Sequence, residues 1–141
     1  MKPTAETEGE FEGWYSWRET DPFENASGPF YIKLIDGEAV CAMRLERRHM
    51  NGHGGVHGGC VASFADHAAF AVAGKHVEHG AVTVSLKVDY LNTAAEGERL
   101  ESRGDLLKAG GSLIFVRGVV TSGDRSVASY EAILKKLKPR A

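Results

Sequence analysis

Cysteine is scarce in this chain, and the two present, Cys41 and Cys60, sit in apolar surroundings without zinc-type spacing. That excludes a disulfide scaffold and a zinc module, and it fits reduced core residues of a cytoplasmic protein. No apolar run reaches the length of a membrane span, and the N-terminus, MKPTAETEGEFEG, is acidic and polar with no apolar signal core. Neither sign of charge dominates. With 17 basic and 19 acidic residues and a net charge of −2, there is no broad basic surface for nucleic acid or an anionic membrane. Three catalytic signatures are also missing: there is no G-x-x-x-x-G-K-[ST] loop, no strand leading into G-x-G-x-x-G, and no G-x-S-x-G elbow. At 141 residues the chain is long enough for one ordinary core and too short for two.

What is present is organised around His57 to Gly74, HGGCVASFADHAAFAVAG. Apolar residues recur at Cys60, Val61, Phe64, Ala65, Ala68, Ala69 and Val72, a period near 3.6. Small or apolar residues fill most of the other faces, which predicts a helix wrapped by other structure. One carboxylate, Asp66, interrupts it. Gly54, Gly55, Gly58 and Gly59 stand before the helix and Gly74 after it. Its first free N–H groups, at the positive end of the helix dipole, are therefore open to an electron-rich ligand.

The remaining chain divides into strands and turns. Met1 to Gly9 reads as disordered, and Phe11, Trp14, Tyr15 and Trp17 read as a short amphipathic helix packed on the body. Thr20 to Pro29 is expected to be a loop. Phe30–Ile35 and Ala39–Leu45 form a hairpin about Asp36-Gly37. After the helix, Val82, Val84, Leu86, Val88 and Tyr90 alternate with polar residues, which predicts a strand with one wet or functional face. Leu100–Lys108, Leu113–Thr121 and Arg125–Leu137 complete a meander, the last taken as a strand because its turn is tight and Val127, Tyr130 and Ile133 suit a sheet. The expected architecture is α+β: a curled antiparallel sheet of about six strands around one long central helix. An aromatic segment and loop over residues 1–29 precede a main domain over residues 30–141.

His49, Asn51, His53 and His57 cluster ahead of the helix, which invites a metal site. Gly52, Gly54 and Gly55 argue against the helical backbone that would align these histidines, so no metal and no other cofactor is expected. Cys60 shares the apolar stripe with Phe64 and reads as packing. What remains is a set of open N–H groups with Asn51, His57 and Asp66. These parts suit acyl hydrolysis, in which the N–H groups and Asn51 polarise a carbonyl and Asp66 attacks or activates water. Asp66 lies eight residues past Gly58, about 12 Å along the axis at 1.5 Å per residue. It cannot reach a carbonyl held at its own helix start, so the same parts call for a second, antiparallel copy and two composite sites. A structural reading stands beside this one, with Asp66 paired to an arginine, Asn51 serving a turn and the glycines permitting close packing. Spacing alone does not choose between them.

The segment HMNGHGGVHGGCVASFADHAAFAVA closely resembles the signature of the hotdog-fold acyl-CoA thioesterases, especially the phenylacetate-pathway type, N-x-x-G-x-x-H-G-G followed by a helix bearing Asp. Asn51, Gly54, His57, Gly58, Gly59 and Asp66 all fall at the family spacing, and AVTVSLKVDYLNTAAEGE resembles the strand and turn after that helix. The similarity runs from about Phe30 to Leu137. It implies a sheet wrapped around the helix, pairing of two subunits into a continuous sheet, and often a dimer of dimers. It further implies that the Gly58 N–H and Asn51 polarise a thioester carbonyl, that His57 orients that region, and that Asp66 of the partner subunit acts as nucleophile or general base with Thr83 holding the water. Gly59 and Phe70 are the implied substrate contacts. The expected activity is hydrolysis of an acyl-CoA to free acid and CoA. The alternatives are a non-catalytic acyl-CoA binding module and a dehydratase acting on hydroxyacyl thioesters. The dehydratase fits less well because the histidine here precedes Gly-Gly at the helix start and no partner acid is evident.

Overall fold

The computed structural model describes residues 2–140. At its centre lies α2, Gly58–Ala73, which buries Val61, Phe64, Ala65, His67, Ala68, Ala69 and Ala73. The alanines keep that face thin, so the sheet approaches closely and curls about the helix. Phe64 supplies the bulk, meeting Phe30 edge-on at 5.7 Å between ring centres. Leu45, Leu100, Ile114, Val116, Val120, Val127 and Leu134 close the core from the sheet side.

Eight strands form the sheet: β1 (Thr4–Ala5), β2 (Tyr15–Ser16), β3 (Tyr31–Ile35), β4 (Glu38–Arg44), β5 (Ala81–Tyr90), β6 (Arg99–Ala109), β7 (Leu113–Ser122) and β8 (Arg125–Lys136). Their order is β1-β2-β3-β4-β6-β7-β8-β5, and every pairing is antiparallel. After β4 the chain runs through α2 and reaches the far edge of the sheet as β5. The meander β6-β7-β8 then fills the space between. The long helix, the β3–β4 hairpin and all four later strands stand where the sequence places them, Arg125–Lys136 included.

Three expectations fail near the N-terminus. Residues 2–9 are not disordered: Thr4 and Ala5 pair with Ser16 and Tyr15, and the Glu6 carboxylate accepts from Ser16 Oγ and Arg18 Nε, each at 2.9 Å; Met1 lies outside the described residues. The aromatic segment is not a helix, because Gly9 (φ +78) and Gly13 (φ +85) turn the chain in a way that helical backbone forbids. Its rings still pack. Phe11 stacks on Tyr31 at 3.9 Å, and Phe11 and Trp14 join Val40 and Ala42 in a second small core on the outer face of the sheet. The Arg99 guanidinium lies 5.1 Å from both rings. The expected loop contains a six-residue helix, α1 (Pro22–Ser27), whose N-cap Asp21 accepts from the Glu24 N–H at 3.0 Å. Asp at the cap, Pro at the first position and Glu at the third is a helix-start signature that the Pro and Gly content obscured.

The alternation in β5 also departs from expectation. Thr83 pairs with Leu134 and Ser85 with Ile133, so Val84 is an extra, unpaired residue. Cross-strand partners share a face, and Leu134, Ala132, Tyr130 and Ala128 all face the core. Thr83, Leu86, Val88 and Tyr90 therefore point towards α2, whereas Val82, opposite the exposed Lys135, points away.

Candidate functional site

The site forms where the loop before α2 meets the end of β5. Met50 and Val56 form a bridge that closes this loop. Within it, Asn51 Oδ1 accepts from the backbone N–H groups of His53 (2.8 Å) and Gly55 (3.2 Å). Two backbone donors on the oxygen fix the amide's orientation and leave Nδ2, a donor, as its free end. A Cβ on Gly55 would fall 2.3 Å from Thr93 Oγ1, so only glycine lets the loop lie so close to the segment after β5.

His57 is the N-cap of α2, and its Nδ1 accepts from the Gly59 N–H at 2.8 Å. This uses up one of the helix's orphan donors. The Gly58 N–H has no intrahelical acceptor by its position and no partner among the described residues. It is the open donor at the positive end of the dipole. The Gly58 carbonyl, by contrast, accepts from Tyr90 Oη at 2.8 Å, and the Tyr90 ring stands 3.3 to 3.4 Å from where a Gly58 Cβ would be. Tyr90 thus seats the first turn of the helix. The sequence marked it only as the last apolar position of a strand; its hydroxyl was the overlooked signal.

Two turns along, Asp66 emerges half-buried, and Thr83 Oγ1 donates to its Oδ1 at 2.6 Å. Burial raises the Asp66 carboxyl above its ordinary value, the Thr83 hydrogen bond acts to lower it, Glu24 and Asp21 raise it, and His67 lowers it. The net direction is up, which suits a group that must take a proton. Phe70, one turn further, is half-buried and packed against the core.

The sequence-derived residues thus fall into two groups within one chain. His57, Gly58 and Gly59 form the helix start, and Asn51 stands in the loop that leads into it. Asp66 and Thr83 meet about two helical turns, or about 12 Å, away. Phe70 follows Asp66 on the helix and stands apart from the first group. Of the loop histidines, His49 is fully engaged and buried, its Nδ1 accepting from the Glu46 N–H at 2.9 Å and its Nε2 donating to the Gly28 carbonyl at 3.0 Å. Among the described residues, no three His, Cys, Asp or Glu side chains converge as metal ligands would. Burial pushes the Cys60 thiol up to about 11, which keeps it protonated and a poor nucleophile.

One further residue went unnoticed in the sequence. His67, next to Asp66, is 4% exposed, and its Nδ1 lies 2.8 Å from Glu24 Oε1 on α1. Desolvation pushes this imidazole down, but Cys41 and the Glu24 carboxylate outweigh it and the net direction is up. A histidine on the apolar face of a helix is the sequence signal that was available.

Residues 53–129 match the model of the thioesterase superfamily, a span that holds the helix start, Asp66 and Thr83 together. The chain belongs to the thioesterase superfamily. This thioesterase is 31% identical over 96 residues to acyl-coenzyme A thioesterase 13 of Homo sapiens, a span covering 66% of this chain and 68% of that one. It is 32% identical over 92 residues to acyl-coenzyme A thioesterase PaaI of Escherichia coli, covering 65% of each. Among solved structures, a mutant of the phenylacetic acid degradation protein PaaI from Thermus thermophilus superposes with a TM-score of 0.71 at 32% identity, covering 83% of this chain and all of that one. The hotdog architecture and the likeness to phenylacetate-type thioesterases are both borne out.

Proposed function

We propose that this thioesterase hydrolyses an acyl-CoA to the free acid and CoA at a site shared between two subunits. The observation that carries the reading is the division of the site: an unpartnered Gly58 N–H at the helix start with Asn51 in the loop that leads into it, and the Asp66–Thr83 pair about 12 Å along the helix. The first group is built to bind a carbonyl oxygen and to stabilise negative charge on it. The second is built to supply a base or nucleophile. A two-fold axis running helix against helix brings the first group of one subunit to the second group of the other.

The edge strand supports this assembly. β5 presents a ten-residue free ladder edge, with Val82 49% and Val84 57% exposed, and an edge of that length and apolar character pairs readily with a second copy. Pairing β5 with β5 makes one continuous sheet and sets the two α2 helices side by side. A dimer of dimers is compatible with the same contact. The two free cysteines, Cys41 and Cys60, support a reducing, cytoplasmic setting.

In the reaction, the thioester carbonyl oxygen accepts hydrogen bonds from the Gly58 N–H and Asn51 Nδ2. Asp66 of the partner subunit, oriented by the Thr83 hydroxyl, either takes a proton from water as the water attacks the carbonyl carbon or attacks that carbon itself. On the first route Asp66 passes that proton to the sulfur as the C–S bond breaks, giving the carboxylic acid and the CoA thiol; on the second the C–S bond breaks to leave an acyl anhydride on Asp66, which water cleaves to the acid, and a proton released there goes to the CoA thiolate. His57 holds the first turn of α2 and with it the direction of the Gly58 N–H. The test is a hydrolysis screen over acyl-CoA and acyl-carrier thioesters with a thiol-detecting reagent, comparing the native protein with Asp66→Asn. Native turnover should exceed that of the variant by at least about a hundredfold. Binding of acyl-CoA by both proteins without hydrolysis by either would make a binding module the better account.

A further inference from the structure

The short helix α1 is anchored in an unusual manner. None of its residues is buried, and Phe23 is 63% exposed, so apolar burial does not hold it in place. Polar contacts do. The Glu24 carboxylate meets the buried His67 at 2.8 Å, and the Arg48 guanidinium donates to the Ala26 and Gly28 carbonyls. His67 is more than nine-tenths buried, held on one side by Glu24 and acted on by Cys41 within the core. Burying an imidazole is costly, so a purely structural helix anchor would be cheaper to build from apolar side chains.

A cavity of about 490 Å³ lies between α1 and the first turns of α2, walled by Phe23 and Ala26 on one side and by His57, Gly59, Cys60 and Ser63 on the other. His57 and Gly59, the two neighbours of Gly58 in the chain, line it. No carboxylate lines it, and its one arginine, Arg48, is drawn to Glu46 and to the two α1 carbonyls. A dry cavity of about 150 Å³ admits benzene, so this one has room for a ring or a medium-length chain together with its linking atoms.

Resting on the thioesterase reading above, we propose that α1 is the specificity wall of the acyl pocket: a neutral, ring-sized or medium-length acyl group lies between α1 and the start of α2, Phe23 and Ala26 set the size it may have, and the Glu24–His67 pair is the positioning element that holds the wall. The pair acts through α1 and touches no reacting atom. Because α1 is attached by polar contacts, its position can be set without rebuilding the core.

The experiment measures kcat/KM across a series of straight-chain and aryl acyl-CoA substrates, and for each acyl group compares the CoA thioester with its N-acetylcysteamine thioester. Ala26→Phe fills the pocket from an exposed position and should not impair folding. It should lower kcat/KM for the larger acyl groups at least about tenfold relative to acetyl-CoA, the discrimination that one or two methylenes command in an apolar pocket. Phe23→Ala should broaden the series towards larger groups. Glu24→Ala, assayed on the pH plateau above the Asp66 acid limb, should flatten the acyl ranking by raising KM for the preferred groups, and Glu24→Gln, which keeps a hydrogen bond to His67, should restore the ranking. Three results overturn the proposal. One is an unchanged acyl ranking in Ala26→Phe and Phe23→Ala. Another is a change that follows CoA against N-acetylcysteamine rather than the acyl group, which places the pantetheine arm in the cavity. The third is a loss of melting temperature in Glu24→Ala with the ranking intact, which makes the pair structural. If the native protein hydrolyses no thioester at all, the thioesterase reading fails and this one with it; hydrolysis with an unmoved ranking removes this one alone.

Discussion

Thr83 Oγ1 donates a 2.6 Å hydrogen bond to Asp66 Oδ1, joining the edge strand β5 to the middle of α2. The bond exists because of the bulge at Val84. With unbroken alternation, a strand that turns Leu86, Val88 and Tyr90 towards the helix would turn Thr83 away from it. The extra residue resets the phase, so that Thr83 shares the inner face with Leu86, Val88 and Tyr90.

The pH dependence of the reaction should respond to this contact. The Thr83 hydroxyl lowers an Asp66 carboxyl that burial raises, so Thr83→Val should leave the carboxyl higher still. Asp66 must be ionised to act, and activity is lost as pH falls through its folded-state pKa. The acid limb of a kcat/KM against pH profile should therefore move to higher pH in Thr83→Val. An acid limb that stays in place would show that Asp66 is not the group titrating there.

Stability should carry the same signature in the opposite sense. Because the folded-state Asp66 pKa lies above its ordinary 3.8, the folded protein binds this proton more tightly than the unfolded chain. The stability that this supplies is fully present below the unfolded value and is lost as pH rises through the folded one. Asp66→Asn, which has no proton to lose, should melt at a higher temperature than the native protein at neutral pH, with the difference shrinking in acid. Melting curves across pH 3 to 8 would check it, and a neutral-pH Tm below native would contradict the assignment of burial as the dominant cause.

Asn51 has two tasks that substitution can separate. Its oxygen holds the loop through the His53 and Gly55 N–H groups, and its nitrogen is the donor proposed for the carbonyl. Asn51→Asp keeps two acceptors and removes the donor, so Tm should stay near native while kcat falls about 10²- to 10³-fold. Asn51→Ala removes both functions and should lower Tm as well. Equal activity in Asn51→Asp and the native protein would take Asn51 out of the carbonyl site.

A shared site predicts complementation. The Asp66→Asn and Asn51→Asp variants should each be nearly inactive, but subunits exchanged between them form mixed dimers in which one of the two sites is intact. Random mixing should recover up to about a quarter of native activity. Val82→Lys with Val84→Lys, which places charges along the β5 edge, should yield monomers by sedimentation and abolish this recovery. An active monomer, or mixing without recovery, would confine the site to one subunit.

Activity should also survive exhaustive chelation. Both His49 nitrogens and His57 Nδ1 are committed to backbone groups, which leaves too few ligands for a tight site. Loss on chelation with recovery on adding zinc is the outcome that would reverse this reading.

The sequence by itself determined the central helix and the six longer strands, because each rests on a local signal. The 3.6 period from Cys60 to Val72 demanded a buried helix, Asp36-Gly37 demanded a hairpin, and Asn51 through Asp66 carried a family spacing legible without coordinates. Tertiary structure decided what depends on the sum of distant contacts. The aromatic residues Phe11 and Trp14 had helical spacing, but Gly9 and Gly13 turned them into a strap over Val40 and Ala42. The phase of β5 was fixed by pairing with β8, a strand distant along the chain, where a single unpaired Val84 outweighs an otherwise clear alternation. His67 could be seen as a histidine on an apolar face, but that α1 brings Glu24 to it from 43 residues away is a property of the packed chain, since a buried polar atom finds its partner in space and not in sequence.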